Sequence, residues 1–153
     1  MFSSKEILLV EDDRDLLDFA GELLMTLGYQ VFAASSAEKA LRVLENGIHL
    51  DLILSDIRLP GSLDGIELAR EAKARRPDIQ VILTSIYDEY LVDHIIRDEF
   101  RFIEKPYHLT RLREAIHTTL KEASGSSRPL VSASVKETKR ADSRSNYVAA
   151  TFF

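Results

Sequence analysis

The sequence predicts an α/β protein in which helices cover both faces of a five-stranded parallel sheet. Three observations predict it. Short continuous apolar runs recur, such as Ile7-Leu8-Leu9-Val10 and Leu52-Ile53-Leu54, of the kind found in strands buried on both faces. Between them lie segments whose apolar residues repeat at helical spacing. Strand and helix alternate five times, and parallel strands need such crossovers to return the chain.

The elements follow in order. Ile7–Val10 is the first strand. Leu16, Leu17, Ala20, Leu23, Leu24 and Leu27 then keep helical spacing, and Gly28 stands where a helix end favours a left-handed residue. Tyr29 to Ala34 reads as the second strand. Ser36 caps a helix carrying Ala37, Ala40, Leu41 and Leu44, which Gly47 closes. Leu50 to Ser55 is the third strand, ending at Asp56. Asp64 caps the helix Gly65 to Arg75, and Pro77 stops it. Ile79 to Thr84 is the fourth strand, Asp88 to Arg97 the fourth helix, and Phe100 to Glu104 the fifth strand. Leu109 to Lys121 closes the unit as an amphipathic fifth helix. Right-handed crossovers and five strands suit the flavodoxin-like, doubly wound strand order 2-1-3-4-5.

Composition narrows the function. The chain has 153 residues and no cysteine, so disulfides and thiolate metal sites are excluded. Its start, Met1-Phe2-Ser3-Ser4-Lys5-Glu6, lacks the pattern of a signal peptide, and its apolar runs are too short for a bilayer. A cytoplasmic protein without membrane contact is expected. Net charge is −5, made of +3 over the last thirty residues and −8 over residues 1–123. An acidic globular part argues against nucleic-acid binding. Ser124-Gly125-Ser126-Ser127-Arg128-Pro129 is linker chemistry. The expected organisation is therefore one domain over 1–123, then a polar linker and short apolar tail over 124–153.

In sheets of this type the chemistry gathers at the carboxyl ends of the strands. Strand 1 ends in Glu11-Asp12-Asp13, strand 3 in Asp56, strand 4 in Thr84-Ser85 and strand 5 in Lys105. Converging carboxylates repel one another and invite a hard divalent cation, for which oxygen ligands suit Mg²⁺. A carboxylate beside such a cation, faced by a lysine and a hydroxyl, is equipped to attack phosphorus. Each feature alone has a bland reading as a cap or a turn. Their joint appearance at the ends of the right strands does not.

The ordered set Ile7-Leu8-Leu9-Val10-Glu11-Asp12-Asp13, Asp51-Leu52-Ile53-Leu54-Ser55-Asp56, Leu59-Pro60, Asp64-Gly65, Ile82-Leu83-Thr84-Ser85 and Phe102-Ile103-Glu104-Lys105-Pro106 resembles the receiver domains of two-component response regulators. The resemblance covers residues 5–122. It implies that Asp56 is the phosphoacceptor and that Glu11, Asp12, Asp56 and the backbone carbonyl of Arg58 bind Mg²⁺. Asp13 is then left over as a cap for the first helix. The resemblance further implies that Lys105, preceding a cis bond to Pro106, contacts the phosphoryl group. Thr84 would be the switch hydroxyl, and Phe102 the aromatic that fills the space Thr84 vacates. Ser85 would leave the phosphorus accessible. Phosphorylation would then remodel the surface of helix 4, strand 5 and helix 5. The donor implied is a sensor histidine kinase or histidine phosphotransfer protein. The downstream partner is a protein whose identity the sequence does not give.

Asp51 is the rival acceptor, but it stands at the opposite end of strand 3, about 16 Å from Asp56. Two spacings depart from the family's commonest pattern. One residue is added among Pro60-Gly61-Ser62-Leu63, and one is missing between Thr84 and Lys105, where Arg97-Asp98-Glu99-Phe100-Arg101 replaces a Gly-Ala step. A Mg²⁺-dependent phosphohydrolase of the haloacid-dehalogenase type would carry its nucleophile on strand 1, which this chain does not. A transcription regulator would need a DNA-binding domain, and the thirty residues after 123 hold no helix-turn-helix pattern. The tail ends Tyr147-Val148-Ala149-Ala150-Thr151-Phe152-Phe153. It reads either as a disordered sticky end or as a tethered anchor, with the helix 4–strand 5–helix 5 face as its expected groove. A homodimer would form through that face or through the tail.

Overall fold

Five strands of a computed structural model, which describes residues 4–86, 98–127 and 147–149, pair in parallel. They are β1 (Glu6–Val10), β2 (Gln30–Ala34), β3 (Leu52–Asp56), β4 (Gln80–Ser85) and β5 (Arg101–Glu104). Their order across the sheet is the expected 2-1-3-4-5, and a sixth strand, β6 (Tyr147–Ala149), extends it beyond β2. This last strand corrects one expectation. The tail segment Tyr147–Ala149 lies at the β2 edge, on the far side of the sheet from the face predicted to receive it. An open strand edge offers backbone donors and acceptors that three residues can satisfy without a large apolar groove.

Four helices are described: α1 (Arg14–Thr26), α2 (Ala37–Glu45), α3 (Gly65–Arg75) and α4 (Leu109–Ser127). The last is the helix the sequence places fifth, and it runs six residues past the expected end at Lys121. The expected helix Asp88–Arg97 lies outside the described residues. Strand alternation sends Ile7, Leu9, Leu54 and Ile82 to one face, where they meet Leu17 and Leu24 of α1 and Leu112 and Ile116 of α4. Leu8, Val10, Ile53 and Leu83 point the other way, against Ala40 and Leu44 of α2 and Leu68 and Ala72 of α3. Each such Leu or Ile contributes about 1.5–3 kcal/mol by leaving water. Because both faces are covered, the strands read as unbroken apolar runs.

Caps and turns set where each element stops. Asp13 accepts hydrogen bonds from the Asp15 and Leu16 amides at 3.0 and 3.1 Å, which is the capping role expected of it. Ser36 accepts from Lys39 N at 3.2 Å. Asp64 and Glu67 form a reciprocal capping box, Asp64 accepting from Glu67 N and Glu67 from Asp64 N. The lengthened loop before Asp64 is tied down by Glu38 of α2, which accepts from Ser62 N at 3.1 Å and Ser62 Oγ at 2.9 Å. The altered stretch before β5 is anchored by buried Phe100, by Arg70 to Glu99 at 3.0 Å, and by Arg101 to Glu122 at 2.7 Å.

The register brings the strand ends to one level. Asp56 stands opposite Thr84, and Ser85 opposite Glu104. Asp51 is held at the other end, accepting from Glu6 N at 2.8 Å. The start of α3 presses directly on the end of β3. Gly65 N–H donates to the Ile57 carbonyl at 2.8 Å, and a Cβ at Gly65 would stand 2.1 Å from the Asp56 carbonyl oxygen. Only glycine fits there. Gly65→Ala should therefore destabilise the fold by about 1–3 kcal/mol in urea unfolding, and a loss below about 0.5 kcal/mol would contradict the contact.

Candidate functional site

The carboxyl edge of the sheet holds an acidic pocket closed by one ammonium. Glu11 follows β1 directly, and its N–H donates to the Ala34 carbonyl at 3.1 Å, so the end of β2 fixes its backbone. Its side chain is only 6% exposed. Asp56 ends β3, where its Oδ1 accepts from Arg58 N at 3.1 Å. Lys105 follows β5, with its N–H donating to the Ser85 carbonyl at 2.8 Å and a cis bond to Pro106. Its Nζ donates to Asp56 Oδ2 at 3.0 Å and also to Glu11 Oε2.

Electrostatics explains why these groups tolerate burial. Leaving water raises the pKa of the Glu11 carboxyl, and Lys105 opposes that rise through hydrogen bonding and charge. Burial alone would lower the pKa of Lys105, but its contacts with Glu11 and Asp56 outweigh it, and the net direction is upward. The lysine is therefore held charged. Half-buried Tyr107 keeps its proton, its pKa pushed up to about 12 mainly by burial.

Oxygens of Glu11, Asp12 and Asp56 all lie within 4.8 Å of one another. With Lys105 charged and the three carboxylates ionised, the pocket carries two surplus negative charges. That donor set fits a hard divalent cation. A second cluster, Glu6, His49 and Asp51, sits at the opposite edge of the sheet, where His49 Nδ1 lies 2.5 Å from Glu6 Oε2.

The remaining predicted residues take these places. Thr84 is buried at the end of β4, and its carbonyl accepts from Ile57 N at 2.9 Å. Ser85 is buried beside it. Phe102 is half-buried on β5, stands opposite Leu83 and packs on the α2–α3 core. Arg58 is brought to Asp56 through its amide. Asp12 is exposed at the mouth, and Asp13 turns away to its cap.

The structure adds an apolar rim to this pocket. Leu16, Phe19, Ile86 and Tyr107 line a cavity of about 180 Å³ together with Glu11 and Lys105. Phe19 is 56% exposed and Ile86 63%. Leu16 shares the helical spacing of the core leucines, yet it faces solvent. The signal available was Phe19, an aromatic off the buried stripe of α1.

The chain belongs to the response regulator receiver domain family, which it matches over residues 7–117. It is 32% identical over 118 residues to the response regulator receiver protein CpdR of Brucella abortus, covering 76% of this chain and 97% of that protein. It is 34% identical over 117 residues to a cyclic di-GMP phosphodiesterase of Thermotoga maritima, covering 75% of this chain but only 31% of that relative. Among solved structures, a CheY-like receiver domain of Methanospirillum hungatei superposes with a TM-score of 0.72 at 32% identity, over 80% of this chain and 98% of that one. The response regulator TrrA of Thermotoga maritima, crystallised with Mg²⁺ and BeF, gives 0.68 at 28% identity, over 75% and 98%. Among the described residues no helix is long and apolar enough to cross a membrane.

The opposition between burial and Lys105 is directly testable. Lys105→Met removes the cation that offsets burial, so the Glu11 carboxyl should titrate at higher pH than in the wild type. Carbon-detected NMR of the Glu11 carboxyl reads this, and an unchanged or lower midpoint would contradict the pairing.

Proposed function

We infer that the chain is a phosphorylation switch that accepts a phosphoryl group on Asp56. The observation that carries this reading is the placement of Asp56 under the Lys105 ammonium, with carboxylate oxygens of Glu11 and Asp12 alongside. An Asp56 oxygen attacks the phosphorus of a phosphohistidine. The P–O bond forms as the P–N bond breaks, and the imidazole keeps the electron pair. Mg²⁺, held by Glu11, Asp12, Asp56 and the Arg58 carbonyl, would neutralise charge on the phosphoryl oxygens. Lys105 then exchanges carboxylate for phosphoryl oxygen as its partner. Thr84 supplies a hydroxyl to the same group, and Phe102 repacks into the space it leaves.

Phosphorylation adds up to about two negative charges and three acceptor oxygens, enough to bias a surface between two arrangements. The surface so biased is that of the predicted fourth helix, β5 and α4, and it controls a protein partner. The chain works as a switch with autophosphorylation and autodephosphorylation chemistry rather than as a turnover enzyme, and it acts in the cytoplasm. Its donor is a sensor histidine kinase or a histidine phosphotransfer protein. Such a donor must bring an imidazole to the pocket mouth, where exposed Leu16, Phe19 and Ile86 offer it an apolar footing.

Incubation with acetyl phosphate and Mg²⁺, read by intact-protein mass spectrometry, should phosphorylate the wild type and leave Asp56→Asn unmodified. Modification of Asp56→Asn at Asp51 would overturn the assignment. In calorimetric titration with Mg²⁺, Asp12→Ala should abolish measurable binding. Asp13→Ala should keep it and lose only its cap, about 0.5–2 kcal/mol of stability. Equal loss of binding in both variants would show the acidic triplet to be misassigned.

A further inference from the structure

The two edges of the sheet are built differently. β5 carries a charge at each end, Arg101 and Glu104, and Arg101 is paired with Glu122 at 2.7 Å. Charges of this kind keep an edge strand from pairing with other chains. β2 has no such guard. Gln30-Val31-Phe32-Ala33-Ala34 contains neither charge nor proline. Left open, its outer side would present a row of unpaired N–H and C=O groups on an apolar ribbon.

What covers that side is β6, in parallel register Val31↔Tyr147, Phe32↔Val148 and Ala33↔Ala149. We propose that the outer edge of β2 is a strand-acceptor site for a short, uncharged extended peptide, and that residues 147–149 of the same chain fill it. Affinity at such a site comes from main-chain hydrogen bonds, which any extended segment of suitable composition can supply. Tyr and Val favour extended backbone, and the segment carries no charge to desolvate.

Chain length permits closure within one molecule. α4 packs on β4 and β5. From β4 to β6 the sheet is about 20 Å wide, at about 4.8 Å per strand. The twenty residue steps from Ser127 to Tyr147 span about 65 Å when extended. A tether of that length holds the segment near its site at an effective concentration in the millimolar range, so it outcompetes dilute free peptide. With three paired residues, the same segment yields to a longer strand of like composition.

Hydrogen exchange on the full chain tests this, with two full-length prolines as the comparison, Tyr147→Pro together with Val148→Pro. Consecutive N–H groups in a strand point to opposite sides, so one of the two replacements removes a donor that faces β2. In the variant, the amides among Val31, Phe32 and Ala33 that face β6 should exchange at least about ten-fold faster. Deletion of residues 147–153 should do the same. A synthetic peptide of residues 145–152 should restore protection in either altered chain and add none to the wild type. Unchanged exchange in both altered chains would overturn the proposal, as would a peptide that fails to protect them. Protection that falls on dilution of the wild type, with loss of a dimer in analytical ultracentrifugation, would assign the strand to a second copy and overturn closure within one chain.

Discussion

The interaction on which the site depends is the contact of one ammonium with two carboxylates. Lys105 reaches Glu11 and Asp56, so a single cation joins the ends of β5, β1 and β3. Burial works against the charged forms of Glu11 and Lys105, and their mutual contact opposes that cost. Together they tolerate burial while leaving surplus negative charge at the pocket mouth. In the proposed function a phosphoryl group and its cation would act on that surplus, which makes Lys105 the natural element to change partners.

The sheet makes that contact obligatory rather than fortuitous. Helices on both faces force the middles of the central strands β1, β3 and β4 to be apolar, so their polar groups collect at and just beyond the strand ends. The register then stacks those ends at one level, Asp56 beside Thr84 and Ser85 beside Glu104. Backbone hydrogen bonds from Glu11 to Ala34, from Ile57 to Thr84 and from Lys105 to Ser85 carry the order of the sheet out into the loops. Gly65 completes the arrangement by letting α3 begin against the Asp56 carbonyl. Glu38 holds the loop in between from the α2 side.

Much of this was legible in the sequence, for physical reasons that differ by residue. The continuous apolar runs gave the strands, because a two-sided sheet leaves no alternation to confuse with a surface strand. Asp13, Ser36 and Asp64 announced helix starts through side chains that compete with backbone for amide protons. Glu11, Asp12, Asp56, Thr84 and Lys105 stood out because they gather at the carboxyl ends of four strands, at the same edge. What stayed hidden was anything decided by orientation around a helix or by contact between distant segments. Leu16 obeys the periodicity of α1 and still faces solvent, since the buried stripe is narrower than the run of leucines. Glu38 gave no local sign that it would bind a loop twenty-four residues away. The tail's aromatics point either to a disordered sticky end or to an anchor in an apolar groove. The backbone of Tyr147–Ala149 instead pairs with the uncharged edge strand β2.

The central claim is that Lys105 changes partners on phosphorylation while Glu11 and Asp12 stay with the metal. A crystal structure of the chain with Mg²⁺ and beryllofluoride, a stable stand-in for the phosphoryl group on Asp56, measures this directly. Lys105 Nζ and Thr84 Oγ1 should each lie within hydrogen-bond distance, about 3 Å, of a fluorine atom, with Lys105 released from Asp56 Oδ2. Lys105 still bridging Glu11 and Asp56, with beryllofluoride bound and Thr84 turned away, would contradict the account.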